Sequence, residues 1–245
     1  MCYINSTLDL AMVSIVGDSQ ESLQLELYVD ADLAGDPNSK FSTSGVWFGV
    51  GGPHTRASLC CLSKRQTSRA FSTAEAEIVA YALGLRTEGL PGLDLWETIL
   101  QRRVRLLVWE DNKSTKQLRD SGRSHALRHL GRTHGVSLAW LHEQTAVDGI
   151  DVDRVDSSFR LADIFTKAFD STADWKEKLK LISHVAFERN QAGRLRPLST
   201  YPTITLISSQ DKKLVAKAVK AALDSSTSQK PVSYTHLTLP TKRIV

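Results

Sequence analysis

Cysteine is scarce. The 245 residues hold three, Cys2, Cys60 and Cys61, an odd number with an adjacent pair and no C-x-x-C spacing. That excludes a disulfide scaffold and a cysteine-based zinc finger, and it suits a reducing, intracellular compartment. Long apolar runs are missing too. No stretch approaches the ~18 residues needed to cross a bilayer, so no membrane partner is expected. Residues 1–20 lack the basic start and apolar block of a secretory signal. Charge is not one-sided: 31 Lys+Arg face 27 Asp+Glu, a net +4, which permits a polyanionic partner without demanding one. What is present, 41% hydrophobic and 24% charged residues, is the composition of an ordered chain with one sizeable core.

The patterning predicts a mixed α/β fold. Leu23, Leu25, Leu27 and Val29 alternate with polar positions and Tyr28, a period-two strand signal ending at Asp30-Ala31-Asp32. Strands are expected over 44–50 and 58–63, giving an antiparallel meander. The period then changes. Ser72 or Thr73 can cap a helix with Glu75 in its first turn, and a second helix is expected over 91–100. The apolar run Val104–Trp109 reads as a central strand covered on both faces. A helix over 113–120, a fifth strand over 150–155 and a helix over 161–169 complete the expected core. Beyond 170, helices are expected over 175–184 and 211–223. Three strands followed by alternating helix and strand imply a five-stranded mixed sheet flanked by helices.

The chemistry lies in where the acids fall. Asp30 ends the first strand and Asp111 follows the Val104–Trp109 strand. Glu77 sits early on the first helix, and Asp163 begins the last expected helix of the core. If the two strands are neighbours, helix-borne acids can converge on strand-end acids. Such a group repels itself unless cations join it, and oxygen-only ligation selects Mg²⁺ or Mn²⁺. Two such ions can clamp the attacking and leaving oxygens of a phosphodiester. Acids at element ends also arise as ordinary caps and turns, and spacing alone leaves that alternative open.

Six blocks carry a resemblance. Tyr28-Val29-Asp30-Ala31-Asp32-Leu33-Ala34-Gly35-Asp36 resembles the Y-x-D-A-D-W-A-G-D opening of the ribonuclease H domain in copia-type retrotransposon polyproteins. Phe41-Ser42-Thr43-Ser44-Gly45 after Lys40 resembles its K-S-T-S-G, and Leu62-Ser63-Lys64-Arg65-Gln66 its S-S-K-K-Q. Ser72-Thr73-Ala74-Glu75-Ala76-Glu77 resembles S-T-E-A-E, Glu110-Asp111-Asn112-Lys113-Ser114 resembles C-D-N-Q-S, and Arg160 to Lys167 resembles Q-L-A-D-I-F-T-K. The blocks run in order over about residues 21–170. The resemblance implies a ribonuclease H-like fold and a metal-dependent endonuclease that hydrolyses the RNA strand of RNA–DNA hybrids. By motif, Asp30, Glu77, Asp111 and Asp163 are the catalytic acids and the ligands of two Mg²⁺ or Mn²⁺ ions. It also implies a partner, the reverse transcriptase domain of the same polyprotein, and a setting in virus-like particles or the nucleus. Asp32, Glu75 and Glu110 lie beside the matched acids and are expected to be supporting or surface groups. Leu33 stands where the family has Trp, and Glu110 where Cys is usual.

Between Gln101 and His134 there are nine basic residues: Arg102, Arg103, Arg105, Lys113, Lys116, Arg119, Arg123, Arg128 and Arg132. This excess suits a phosphate backbone as well as it suits a solvated helix face. Arg102, Lys113, Lys116, Lys64 and Arg65 are candidate nucleic-acid contacts, with Asn112 and Ser114 as candidate minor-groove contacts. His125, His129 and His134 fall close together, but no Cys or acidic fourth zinc ligand lies near in a suitable pattern. The copia-type family has His residues in a comparable basic segment, and the resemblance implies a structural or phosphate-facing role. The expected organisation is a lead-in over 1–20, a ribonuclease H-like domain over 21–170, a partly helical extension over 171–230, and a tail over 231–245 that looks like translated adapter sequence. No reverse transcriptase motif precedes the domain, and the chain reads as a remnant of a longer polyprotein. The alternative function is a catalytically decayed module that only binds nucleic acid.

Overall fold

The computed structural model describes residues 7, 9–35, 38–110, 124, 126–146, 148–156, 159–189 and 195–197. Nine-residue β2 (Gln24–Asp32) lies at the centre of a five-stranded sheet. It pairs antiparallel with β3 (Thr43–Gly52), which pairs antiparallel with the edge strand β4 (Thr55–Arg65). On its other side β2 pairs parallel with β5 (Leu106–Glu110), and β5 pairs parallel with β6 (Ile150–Arg154). Strand β1 (Leu10–Met12) belongs to a separate three-stranded sheet described below. The chain is therefore a mixed α/β protein with the expected sheet: a meander of three strands, then two added in parallel.

Alternation along β2 assigns its faces. Leu25, Leu27 and Val29 pack with Val46, Phe48, Leu106 and Val108 under helix α1 (Thr73–Gly84), whose Ile78 and Tyr81 complete the main core. The Ser72 side chain caps α1 by accepting from the Glu75 amide. Tyr28 and Trp47 point to the other face. There they meet Leu161, Ala162, and Leu179 and Ile182 of and after helix α5 (Thr172–Leu181). Strand β7 (His184–Arg189) follows, pairing with β1 and with β8 (Leu195–Pro197). An isolated bridge between Ile15 and Arg56 ties the lead-in to β4. Leu10 before the sheet, and Trp175, Leu179 and Ile182 after residue 170, thus pack on the Tyr28 face of the central sheet.

Several elements differ from expectation, among them the strands β1, β7 and β8, which the sequence pattern does not predict. The two helices expected over 72–85 and 91–100 are one continuous run, in which α1 passes through a wide π turn (Leu85–Gly89) into α2 (Leu90–Leu100). Pro91 lacks an N–H and its ring crowds the preceding α-helical turn, and the widened turn just before it relieves both problems. The helix expected over 161–169 is only a 3₁₀ turn, Ala162–Phe165. The amides of Thr166 and Lys167 both fold onto the Asp163 carbonyl, closing the turn, and the Thr166 hydroxyl oxygen lies 3.2 Å from the same carbonyl. The expected 175–184 helix is α5, and His184 is strand. Two short helices, α3 (Leu130–Thr133) and α4 (Leu138–Thr145), lie where the sequence pattern predicts none. The helices expected over 113–120 and 211–223 lie outside the described residues.

Candidate functional site

Asp30 and Asp163 meet. Asp30 sits near the carboxyl end of β2 and, by alternation, on the Tyr28 face. The 3₁₀ turn lies against that face and carries Asp163. The Thr166 hydroxyl donates to Asp30 Oδ2. Lys167 Nζ lies 2.5 Å from Asp163 Oδ1 and 3.8 Å from Asp30 Oδ2, so one ammonium serves both acids. Lys178 Nζ, from α5, lies 3.0 Å from Asp163 Oδ2. Both carboxylates are buried. Burial opposes the Lys167 charge, but the hydrogen bond it donates to Asp163 and the charges of Asp30 and Asp163 outweigh it and raise the lysine pKa.

Gly45 makes the approach possible. It lies opposite Asp30 in the β2–β3 ladder, and a Cβ there would fall 2.6 Å from Thr166 Cγ2 and 2.9 Å from the Ala162 carbonyl oxygen. The glycine of the K-S-T-S-G-like block is thus the gap into which the Asp163 turn settles.

Glu77 is buried on α1. The neighbours of Asp30 and Glu77, Ala31 and Ala76, pack in one small apolar cluster with Ala80, bringing the helix close to the end of β2. The β2–β5 pairing runs as far as Tyr28 opposite Trp109, with those rings stacked at 5.9 Å, and β5 ends at Glu110. Asp111 lies outside the described residues, as do Asn112, Lys113, Ser114 and Lys116. Asp32 accepts from the Thr43 amide and closes the loop between β2 and β3. Glu110 is buried rather than on the surface.

The donor chemistry fits a hard divalent cation. Asp30, Glu77 and Asp163 offer only carboxylate oxygens, and Lys167 already stands as a cation between two of them. Among the described residues no group of three His, Cys, Asp or Glu side chains is arranged around a metal position.

The basic residues divide. Lys64 and Arg65, exposed at the end of β4, line a surface cleft with Gln66, Arg86 and Trp140. Ser44, next to Gly45, lines the same cleft. Arg86 and Trp140 were not among the sequence candidates; cation and indole together form a surface on which a nucleotide chain can lie. Arg102 is elsewhere. Its guanidinium donates to the carbonyls of Gln20, Leu23 and Arg103, at the start of β2 and therefore at the opposite end of the strand from Asp30. Arg103 pairs with Glu97 at 3.4 Å and Arg105 with Asp151 at 2.5 Å, while Arg128 and Arg132 are exposed.

The histidines find an acid that spacing did not reveal. His129 Nε2 and His134 Nε2 each lie 3.1 Å from Glu75 Oε1, and Glu75 Oε2 accepts from the Phe71 amide. Glu75 is 1% exposed, so this is an internal tie between α1 and the segment around α3. His125 lies outside the described residues. Cys60 is half-buried, and burial pushes its thiol up to about 11.

Comparison with models of known families, with curated proteins and with solved structures finds no match to this chain.

Proposed function

We propose that this chain is a copia-type ribonuclease H domain with a ribonuclease H-like fold, which hydrolyses the RNA strand of RNA–DNA hybrids during reverse transcription. The observation that carries the reading is the meeting of Asp30 and Asp163 around one cationic group, each contributed by a separate motif block. Sheet order and the placement of Glu77 on the helix packed against β2 support it. Asp30, Glu77, Asp111 and Asp163 would hold two Mg²⁺ or Mn²⁺ ions, which supply activation of water and neutralisation of the leaving 3′-oxygen. The Thr166 hydroxyl orients Asp30, and Lys178 orients Asp163. Lys64, Arg65 and Arg86 line the cleft that would hold the phosphate backbone. The reverse transcriptase domain of the same polyprotein would deliver the hybrid. No helix among the described residues is long and apolar enough to cross a membrane.

The test is cleavage of an end-labelled RNA–DNA hybrid in Mg²⁺, beside Asp30→Asn and duplex DNA. The expected result is RNA fragments with 5′-phosphates, abolished in the variant, with duplex DNA uncut. One observation favours a second reading: lysines occupy both oxygens of Asp163, as in a module that binds nucleic acid without cutting it. Hybrid binding without cleavage decides for that reading, and cleavage of duplex DNA alone decides against both.

A further inference from the structure

The two lysines on Asp163 are not equivalent. Lys178 reaches in from α5, is 16% exposed, and also donates to the Arg160 carbonyl at 3.4 Å. Lys167, four residues after the acid, is 41% exposed and lies between Asp163 and Asp30. Lys178 is mostly shielded, whereas Lys167 has a direct path to water. Two buried carboxylates facing one point repel each other unless a cation stands there, and Lys167 supplies it. A divalent ion bound by the same oxygens would stand within a few ångströms of that ammonium, where like charges in a partly buried site repel strongly.

We infer that Lys167 is a built-in, displaceable counter-ion: its ammonium holds Asp30 and Asp163 together until a divalent cation expels it to solvent, while Lys178 stays on Asp163 and fixes that carboxylate. This rests on the metal-site reading above and adds a competition to it. Divalent affinity is set by the cost of moving Lys167 as well as by the acids.

The experiment uses the full chain and Mn²⁺. Titration calorimetry on wild type and Lys167→Met should show the variant binding Mn²⁺ about three- to fivefold tighter, the scale of a half-exposed ion pair. Lys167→Arg keeps the charge and should bind no tighter than wild type. A measurement on wild type alone does not depend on how the variants fold. Reductive methylation followed by mass spectrometry should show Lys167 labelling rise on saturation with Mn²⁺ while Lys178 labelling stays flat. Mn²⁺ binding with unchanged Lys167 labelling, or equal affinity in Lys167→Met, overturns this inference and leaves the metal site standing. No Mn²⁺ binding by wild type overturns both.

Discussion

Gly45 lies directly opposite Asp30, and the space left by its missing side chain is filled by Thr166 and the Ala162 carbonyl. A methyl group at this position must push the Asp163 turn off the sheet. Gly45→Ala is expected to cost about 1–3 kcal/mol of stability, the usual range for overpacking, and to reduce hybrid cleavage far more than the melting temperature suggests. Gly84→Ala is the matched control. A Cβ there would fall 2.8 Å from Val29 Cγ1, on the face under α1, so it strains the core without separating Asp30 from Asp163. Thermal melts and cleavage rates on both variants check this. Wild-type cleavage by Gly45→Ala would remove the proposed role of the turn.

The cationic surface can be divided by salt dependence. Lys64→Ala with Arg65→Ala removes two exposed cations from the cleft. Hybrid binding should weaken, and the slope of log affinity against log salt should fall by about two, one for each phosphate that is no longer neutralised. Arg102→Ala should leave the slope unchanged and lower the melting temperature, because its guanidinium holds the backbone ahead of β2. Fluorescence anisotropy across a salt series distinguishes them.

Local signals in the sequence were enough for the sheet. Alternating Leu25, Leu27 and Val29 announce β2, and Ser72 marks the start of α1 within a residue. Each matched acid sits in a short block, and two of them, Asp30 and Asp163, share Lys167. What escaped was set by distant partners. The 161–169 segment has helical periodicity, yet it stops at Thr166, whose hydroxyl reaches Asp30 on another element. Arg102 belongs to a basic run and reads as a phosphate contact, but carbonyls near Gln20 claim it. Glu75 looks like a first-turn acid, and only folding brings His129 and His134 to it. Lys178 lies beyond the last block, on a helix whose role no motif announces.

His184 should make the second sheet sensitive to acid. It opens β7, pairs with Met12 of β1, and its Nδ1–H donates to the Ile182 carbonyl at 3.1 Å. Burial lowers its pKa, against a smaller raising effect of that hydrogen bond. A depressed folded pKa means the unfolded chain binds the proton more readily. The contribution to stability is therefore present above the unfolded value near ~6.5 and lost as pH falls through the folded value. Wild type should lose melting temperature as pH falls below about 6.5. His184→Gln, which keeps a donor and cannot titrate, should lose less. Equal losses in both would assign the acid sensitivity elsewhere.

The boundary drawn by the motif blocks, near residue 170, does not coincide with where the packing ends. Leu179, Ile182 and Val185 are 5%, 5% and 3% exposed, and the first two close over Tyr28 and Trp47. Trp47 Nε1 donates to Ser58 Oγ at 3.0 Å, and that hydroxyl donates to the Ile182 carbonyl at 3.2 Å, so a polar chain crosses the same junction. Burying three such side chains contributes roughly 5–9 kcal/mol at ~1.5–3 each, comparable to the ~5–15 kcal/mol that separates a folded domain from its unfolded chain. A chain cut after residue 170 should therefore lose its cooperative melt, and its Trp47 emission should shift to the red as the indole meets water. It also loses Lys178, so Asp163 keeps only the lysine proposed to leave when a divalent ion binds. A cut after residue 204 keeps α5 and β7 and should melt like the full chain. A cooperative transition in the shorter chain, within a few degrees of the longer one, would mean that α5 is an accessory to the sheet and not part of its core.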